Sequence, residues 1–225
     1  MTWTNTVPAL AWVALIGILL FATAGTLHWP EGWVFMAEFI IGSIAVIFWL
    51  ARHDPGLLKE RMGGAFQKGQ VFWDRVFMGF IIVFWYGWLA LMGVDGGRWH
   101  LWHMPAALEI LGFLLIPLGF YIVWLTFREN SFAAPVIKIQ EERGQHVIST
   151  GPYAVVRHPM YAGAVIYMTG MPLLLGSWLG VFVLPLFIVA LGSRIFIEEA
   201  ALRAGIAGYD AYAARVRYRL VPGIW

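Results

Sequence analysis

Apolar residues in this chain fall in long unbroken runs separated by short polar segments. Four of them, Pro8–Leu27, Gly32–Ala51, Val76–Val94 and Ala107–Phe127, each approach the roughly 20 residues a helix needs to cross about 30 Å of hydrocarbon. A fifth run starts at Pro159 and carries no Asp, Glu, Lys, Arg or His as far as Ser193. At about 1.5 Å per residue it measures roughly 50 Å, too long for a single crossing. Leu175-Gly176-Ser177-Trp178 lies near its middle and supplies turn residues. The run therefore reads as a helical hairpin, Pro159–Leu175 and Trp178–Ile197. The pattern predicts an all-α, polytopic membrane bundle of about six transmembrane helices. Nothing resembling a linker divides the chain, so residues 1–225 read as one membrane domain, with a four-helix part over 1–127 and a second part over 128–225. The first run has no Lys or Arg ahead of it and no clear cleavage site. It reads as a retained helix rather than a signal peptide.

The polar segments differ in character. Residues 52–75 are charged and glycine-bearing, and suit a short interfacial helix. Residues 128–158 contain two β-prone pieces, Val136–Gln140 and His146–Ser149, separated by the turn-like Glu141-Glu142-Arg143-Gly144. After Ile197, EEAALRAGIAGYDAYAARV has helical periodicity. It predicts an amphipathic cytoplasmic tail helix broken near Gly205–Gly208.

Composition sharpens the class. Hydrophobic residues make up 60% and charged residues 12%, against about 45–50% and about 25% in soluble domains. The bilayer is thus the first partner. A net charge of +2 without a basic cluster gives no reason to expect nucleic acid. The absence of cysteine excludes disulfides, iron–sulfur clusters and thiolate nucleophiles. Fourteen of the fifteen Lys and Arg fall on one side of a six-span arrangement, and only Arg98 falls on the other. The positive-inside rule then puts both termini and the longer polar segments in the cytoplasm. Trp29, Trp33, Trp99 and Trp102 cluster near span ends, where interfacial anchors are expected.

Two polar clusters stand at that cytoplasmic face. The first is Gly151-Pro152-Tyr153 with Arg157-His158-Pro159-Met160-Tyr161-x-Gly163. Pro159 suits the first turn of a helix, with His158 at the N-cap. Free N–H groups and the positive dipole end favour an anion there, and Arg157 strengthens that. Gly163 permits close approach of a ligand or a neighbouring helix. The plain alternative is a pair of headgroup-facing residues at a membrane entry. The second cluster is Arg194-x-x-x-Glu198-Glu199. Arg194 and Glu198 share a helix face, so an ordinary intrahelical ion pair is the plain alternative. Yet the hairpin returns them to the face that carries His158, and charge at membrane depth is costly enough to suggest function. Tyr209 and Tyr212, one turn apart and followed by Arg215, either complete a pocket or simply pack the tail helix. Glu38, alone in an apolar span, reads as a buried hydrogen-bond partner or pocket residue. His100-x-x-His103 has metal-like spacing but no third ligand, so no metal centre is expected. There is no GxGxxG, P-loop, GxSxG or HExxH pattern.

GPYAVVRHPMYAG, a hydrophobic hairpin, RIFIEEAALRAGIAGYDAYAARV and a terminal Pro together resemble the isoprenylcysteine carboxyl methyltransferase family. The resemblance covers roughly Asn130 to Trp225. It implies S-adenosylmethionine as methyl donor, held without a Rossmann domain in a cytoplasmic pocket. Carried over by motif, His158, Pro159, Met160 and Tyr161 contact the cofactor. Tyr153, Gln145, His146, Val147 and Ile148 line it, with Gln140 as a second choice for the cofactor-contacting glutamine. Glu198 holds a polar end of the cofactor, and Arg194 faces the methyl-accepting group. The acceptor is left open: a lipophilic or small carboxylate, a phospholipid amine or a thiol. The ending Arg217-Tyr218-Arg219-Leu220-Val221-Pro222 is also similar to that of sterol reductases, which implies NADPH instead.

Overall fold

The fold was obtained as a computed structural model. It describes the backbone of residues 3–225 and the side chains of residues 11–225. Eight α-helices follow one another: α1 (Trp3–Ala24), α2 (Pro30–His53), α3 (Pro55–Met62), α4 (Phe72–Val94), α5 (Ala106–Glu129), α6 (Pro159–Leu174), α7 (Trp178–Gly205) and α8 (Tyr209–Arg215). The expected polytopic helical bundle is what forms. Among the described residues, four helices are long and apolar enough to cross a membrane: α2, α4 with its π-helical extension to Trp99, α5 and α7. The described apolar stretch of α1, Ala11–Ala24, is shorter, and so is the 16-residue α6. The short interfacial helix expected within residues 52–75 is α3. Asp54 caps it by accepting a hydrogen bond from the Leu57 N–H at 2.8 Å, and Pro55 occupies the first turn.

The core lies where α1, α2, α4, α5, α6 and α7 converge. Ile16, Leu20, Phe35, Trp88, Ile116, Met171 and Phe187 are fully or almost fully buried there. Lipid tails are as apolar as these side chains, so close packing rather than transfer from water holds the helices together. Trp88 adds a hydrogen bond from Nε1 to the Gly180 carbonyl at 2.9 Å. Trp29, expected at the interface, is 4% exposed. It packs against Phe21 over the surface that Gly32 and Gly97 leave open, whereas Trp33, Trp99 and Trp102 are exposed.

The far end of the bundle is fixed by one carboxylate. Asp95, buried at the end of α4, accepts from the Ser177 hydroxyl at 2.8 Å and from the Leu179 N–H at 2.9 Å. Ser177 Oγ in turn accepts from the Gly180 N–H. Two orphan donors of α7 are thereby satisfied. The turn between α6 and α7 falls where expected, with Gly176 at φ +66°.

The hairpin's first arm, α6, packs chiefly against α5 rather than α7. Each of the two helices carries two glycines seven residues apart, Gly112 and Gly119 on α5 and Gly163 and Gly170 on α6. They face each other in antiparallel order. A Cβ at Gly112 would lie 2.4 Å from the Leu174 nitrogen and 2.8 Å from the Gly170 oxygen, and one at Gly163 would lie 3.0 Å from the Gly119 oxygen. Gly163 therefore serves helix packing. Backbone cannot yield as a side chain can, so Gly112→Ala should cost about 1–3 kcal/mol. The thermal midpoint of purified protein in detergent should fall. Gly87→Ala, with nothing within 4 Å of its Cβ, should not lower it.

At about 1.5 Å per residue the 28-residue α7 is roughly 42 Å long. It exceeds the hydrocarbon layer by about 12 Å. That overhang carries Glu198 and Glu199 and brings them alongside the start of α6.

Candidate active site

At that overhang a narrow cleft of about 90 Å³ opens between the 130–150 segment, the start of α6, the end of α7 and α8. Most residues singled out in the sequence meet there. Gln145, His146, Val147 and Ile148 border it from the loop; Tyr153, Arg157, His158, Met160 and Tyr161 border it from the approach to α6 and its first turn. Glu198, Tyr209 and Tyr212 close the opposite side. Pro159, Gln140 and Arg194 are not in the lining. Glu38 lines neither this cleft nor the larger cavity described below.

The loop wall is not a hairpin. The two β-prone pieces form no strand, because side chains and a single turn take their backbone partners. The Ile137 N–H donates to Asp74 Oδ2 at 2.8 Å, and the Gln140 N–H donates to Gln145 Oε1 at 2.7 Å. The Ile137 carbonyl accepts from Val71. Gln140 is 1% exposed. Its amide donates to the Phe132 carbonyl and accepts from Arg143. It is a staple of the loop and is not free to meet a cofactor. Glu141–Arg143 form the expected turn as a short 3₁₀ segment.

Arg194 departs most from expectation. It does not pair with Glu198, and the carboxylate beside it belongs to the chain. Nε donates to Asp74 Oδ1 at 2.8 Å, Nη1 to Tyr161 Oη at 2.8 Å and Nη2 to the Pro135 carbonyl at 2.8 Å. With all three nitrogens engaged and the side chain buried, it organises the wall rather than facing an acceptor. Tyr161 Oη passes the connection on, donating to Glu198 Oε2 at 2.5 Å. Asp74, Arg194, Tyr161 and Glu198 thus form one continuous polar line. Asp74 is fully buried and also accepts from Gln70.

A second network lies behind His158. Glu199 accepts from Arg157 Nε at 2.8 Å, meets His158 Nε2 at 3.3 Å and pairs with Arg219 at 3.1 Å. Arg157 Nη1 donates to the carbonyls of Ala213, Val216 and Arg217. Arg157 borders the cleft, but its Nε is held by Glu199 on α7 and its Nη1 clasps the C-terminal segment. The Arg157 and His158 N–H groups donate to the Tyr218 and Arg219 carbonyls at 2.9 Å. The reductase-like ending is therefore a strap across the start of α6.

The tyrosines frame the remaining wall. Tyr153 Oη accepts from Asn130 Nδ2 at 2.7 Å, and Tyr212 Oη donates to the Tyr153 carbonyl at 2.9 Å. Burial pushes the Tyr153 and Tyr209 phenols above the usual range and that of Tyr212 up to about 12. All three stay neutral near pH 7. Tyr209 Oη is buried with no hydrogen-bond partner among the described residues, a costly state that a polar ligand would relieve. Glu198 is partly exposed, and its Oε1 has no partner among the described residues. These free acceptors, a histidine and the apolar Val147, Ile148 and Leu202 suit a ligand with an amine and a heteroaromatic ring. At about 90 Å³ the cleft is narrower than most ligand sites.

Beside the cleft lies a larger, largely apolar cavity of about 740 Å³, lined by residues such as Val46, Leu50, Ile81, Trp85 and Phe120. The wall between the two spaces is thin. Ala133 and Met160 border the cleft, whereas Arg61 and Pro135 border the cavity. Arg61 Nη1 donates to the Ala133 carbonyl at 2.9 Å and lies 3.7 Å from Met160 Sδ.

Sequence reasoning passed over Asp74, Arg61 and Arg219, and did not single out Glu199 from its neighbour. No curated protein matches the chain. Residues 108–205, from the first turn of α5 to the end of α7, match the profile of the family described as phospholipid methyltransferase, which agrees with a membrane-methyltransferase resemblance without selecting isoprenylcysteine enzymes within it.

Proposed function

We propose that the chain is an integral membrane methyltransferase that uses S-adenosylmethionine and acts on a lipophilic acceptor. The observation that carries this is the pairing of two spaces across one thin wall. One is polar, with the free Glu198 oxygen, His158 and the unpartnered Tyr209 hydroxyl converging on it. The other is apolar and sits among the membrane helices. The family match over residues 108–205 supports the reaction class. Charge placement supports a cytoplasmic active site with both termini on that side.

When bound, S-adenosylmethionine supplies an activated methyl group on a sulfonium. The residues' part is to bind and orient. Glu198, fixed by Tyr161, presents one oxygen to a cationic or N–H-bearing end of the cofactor. His158, fixed by Glu199, presents its other ring edge. Val147, Ile148 and Leu202 cover an aromatic ring. Proximity of the two bound partners then supplies much of the rate. The apolar cavity favours an acceptor with a hydrocarbon portion, whether its reacting atom is a carboxylate oxygen, an amine or a thiol.

Methyl-labelled S-adenosylmethionine offered with lipid extracts, prenylcysteine analogues and small thiols tests the reading, and label should appear in a lipid-soluble product. Glu198→Gln keeps the shape but removes the charge. A hydrogen bond to a charged group contributes about 1.5–3 kcal/mol, so donor affinity should fall roughly 10- to 100-fold. Wild-type affinity in that variant, measured by calorimetry, would remove Glu198 from the site.

A further inference from the structure

Among the described residues, Arg61 is the one charged residue in the lining of the apolar cavity. Its surroundings are unusual for a cation. It makes no ion pair among the described residues, although its neighbours do: Glu60 is taken by Lys138 and Asp74 by Arg194. Nη1 has the Ala133 carbonyl, and the Phe127 ring lies 4.3 Å from the guanidinium carbon. Nε and Nη2 have no hydrogen-bond partner among the described residues. Buried or half-buried arginines are normally paired, because an isolated charge out of water is expensive. Burial, with Arg194 nearby, lowers the Arg61 pKa to about 10, so the cation persists at neutral pH. The scaffold fixes it in place. Arg61 lies in the last turn of α3, whose Leu57 is fully buried against Leu50, Phe127 and Ala133.

We propose that Arg61 is the head-group receptor of the cavity, and that the molecule the cavity takes is an amphiphile with an anionic head, a carboxylate or a phosphate, and a hydrocarbon tail among the membrane helices. The inference rests on the reading of this cavity as the acceptor side. It also moves the anion-holding role from Arg194, which is neutralised by Asp74, to a guanidinium with two donors to spare. Planar guanidinium forks suit both carboxylate and phosphate. The head would then rest against Ala133 and Met160, the wall shared with the polar cleft.

The test uses the full chain in a neutral maltoside detergent and three probes with the same chain: oleate, oleyl alcohol and 1-oleoyl lysophosphatidate. Binding is read by competition against a fluorescent C18 fatty acid. Wild type should bind oleate or the lysophosphatidate at least tenfold more tightly than the alcohol. The tighter of the two acids assigns the head as carboxylate or phosphate. Arg61→Met should lose that preference and keep alcohol binding, while Arg61→Lys should retain part of it. Equal binding of acid and alcohol to wild type overturns the proposal, as does an equal loss of both in Arg61→Met, which would mark a structural role. S-adenosylhomocysteine binding is measured on the same samples. If it is absent while the acid preference stands, the methyltransferase reading fails and the Arg61 site survives. If it is present while the preference is absent, the reverse holds.

Discussion

Glu199→Ala should be the most destabilising single change in the protein. Glu199 is the one carboxylate shared by Arg157, Arg219 and His158, and its side chain is 5% exposed. Removing it leaves the 6%-exposed Arg157 without a counter-charge, a situation that costs about 3–5 kcal/mol. The thermal midpoint in detergent should drop sharply. The tail beyond Arg215 should become open to proteolysis, because its strap is held by Arg219 on Glu199 and by Arg157 on three carbonyls. Adding Arg157→Met to Glu199→Ala should recover part of the loss, since the uncompensated charge is removed with its partner. A midpoint unchanged by Glu199→Ala would refute the network as the tail's anchor.

Asp74→Ala should have the largest effect at a distance from the cleft. Asp74 lies outside the lining, yet it holds the Arg194 guanidinium and the Ile137 N–H together. Freed of Asp74, Arg194 has Glu198 one turn away as the nearest carboxylate on its own helix face. Glu198 then loses the charge it offers a ligand, and the Pro135–Ile137 wall loosens. Donor affinity should fall at least tenfold, about 1.4 kcal/mol. Asp74→Ala combined with Arg194→Met, which removes the stranded cation, should regain part of it. Titration of S-adenosylhomocysteine into the three proteins gives the answer. Unchanged affinity in Asp74→Ala would mean that the line through Arg194 and Tyr161 does not reach the ligand.

Much of this architecture was legible in the chain. Hydropathy located α2, α4, α5 and α6 to within about four residues, and the turn at Gly176 and the break at Gly205–Gly208 carried their own local signals. It ended the last span at Ile197, whereas α7 continues unbroken to Gly205, because the expected tail helix begins as its direct extension. His158, Tyr161 and Glu198 stood out because they lie in two short motifs that the α6–α7 turn must bring together, whereas Gln145–Ile148 were named only through the family resemblance. What escaped was pairing over distance. Asp74 and Arg194 are 120 residues apart, and Arg61 meets Met160 across 99. Neither partner announces the other, so Arg194 looked free when it is not and Arg61 looked like one loop cation among several. The β-prone loop failed as a strand because Asp74 and Gln145 supply hydrogen bonds that a neighbouring strand would otherwise provide. The close α5–α6 contact did have a signal, two glycines seven residues apart in each helix. That spacing suggests close packing of each helix, but which helix meets which is seen only in the fold.

The central claim is that the cleft beneath α6 and α7 receives S-adenosylmethionine. Isothermal titration of S-adenosylhomocysteine, and separately NADPH, into the purified protein tests it most directly. The account predicts saturable one-to-one heat from S-adenosylhomocysteine, weakened in Glu198→Gln, and none from NADPH. No heat from S-adenosylhomocysteine at millimolar concentration, with saturable binding of NADPH, would contradict it.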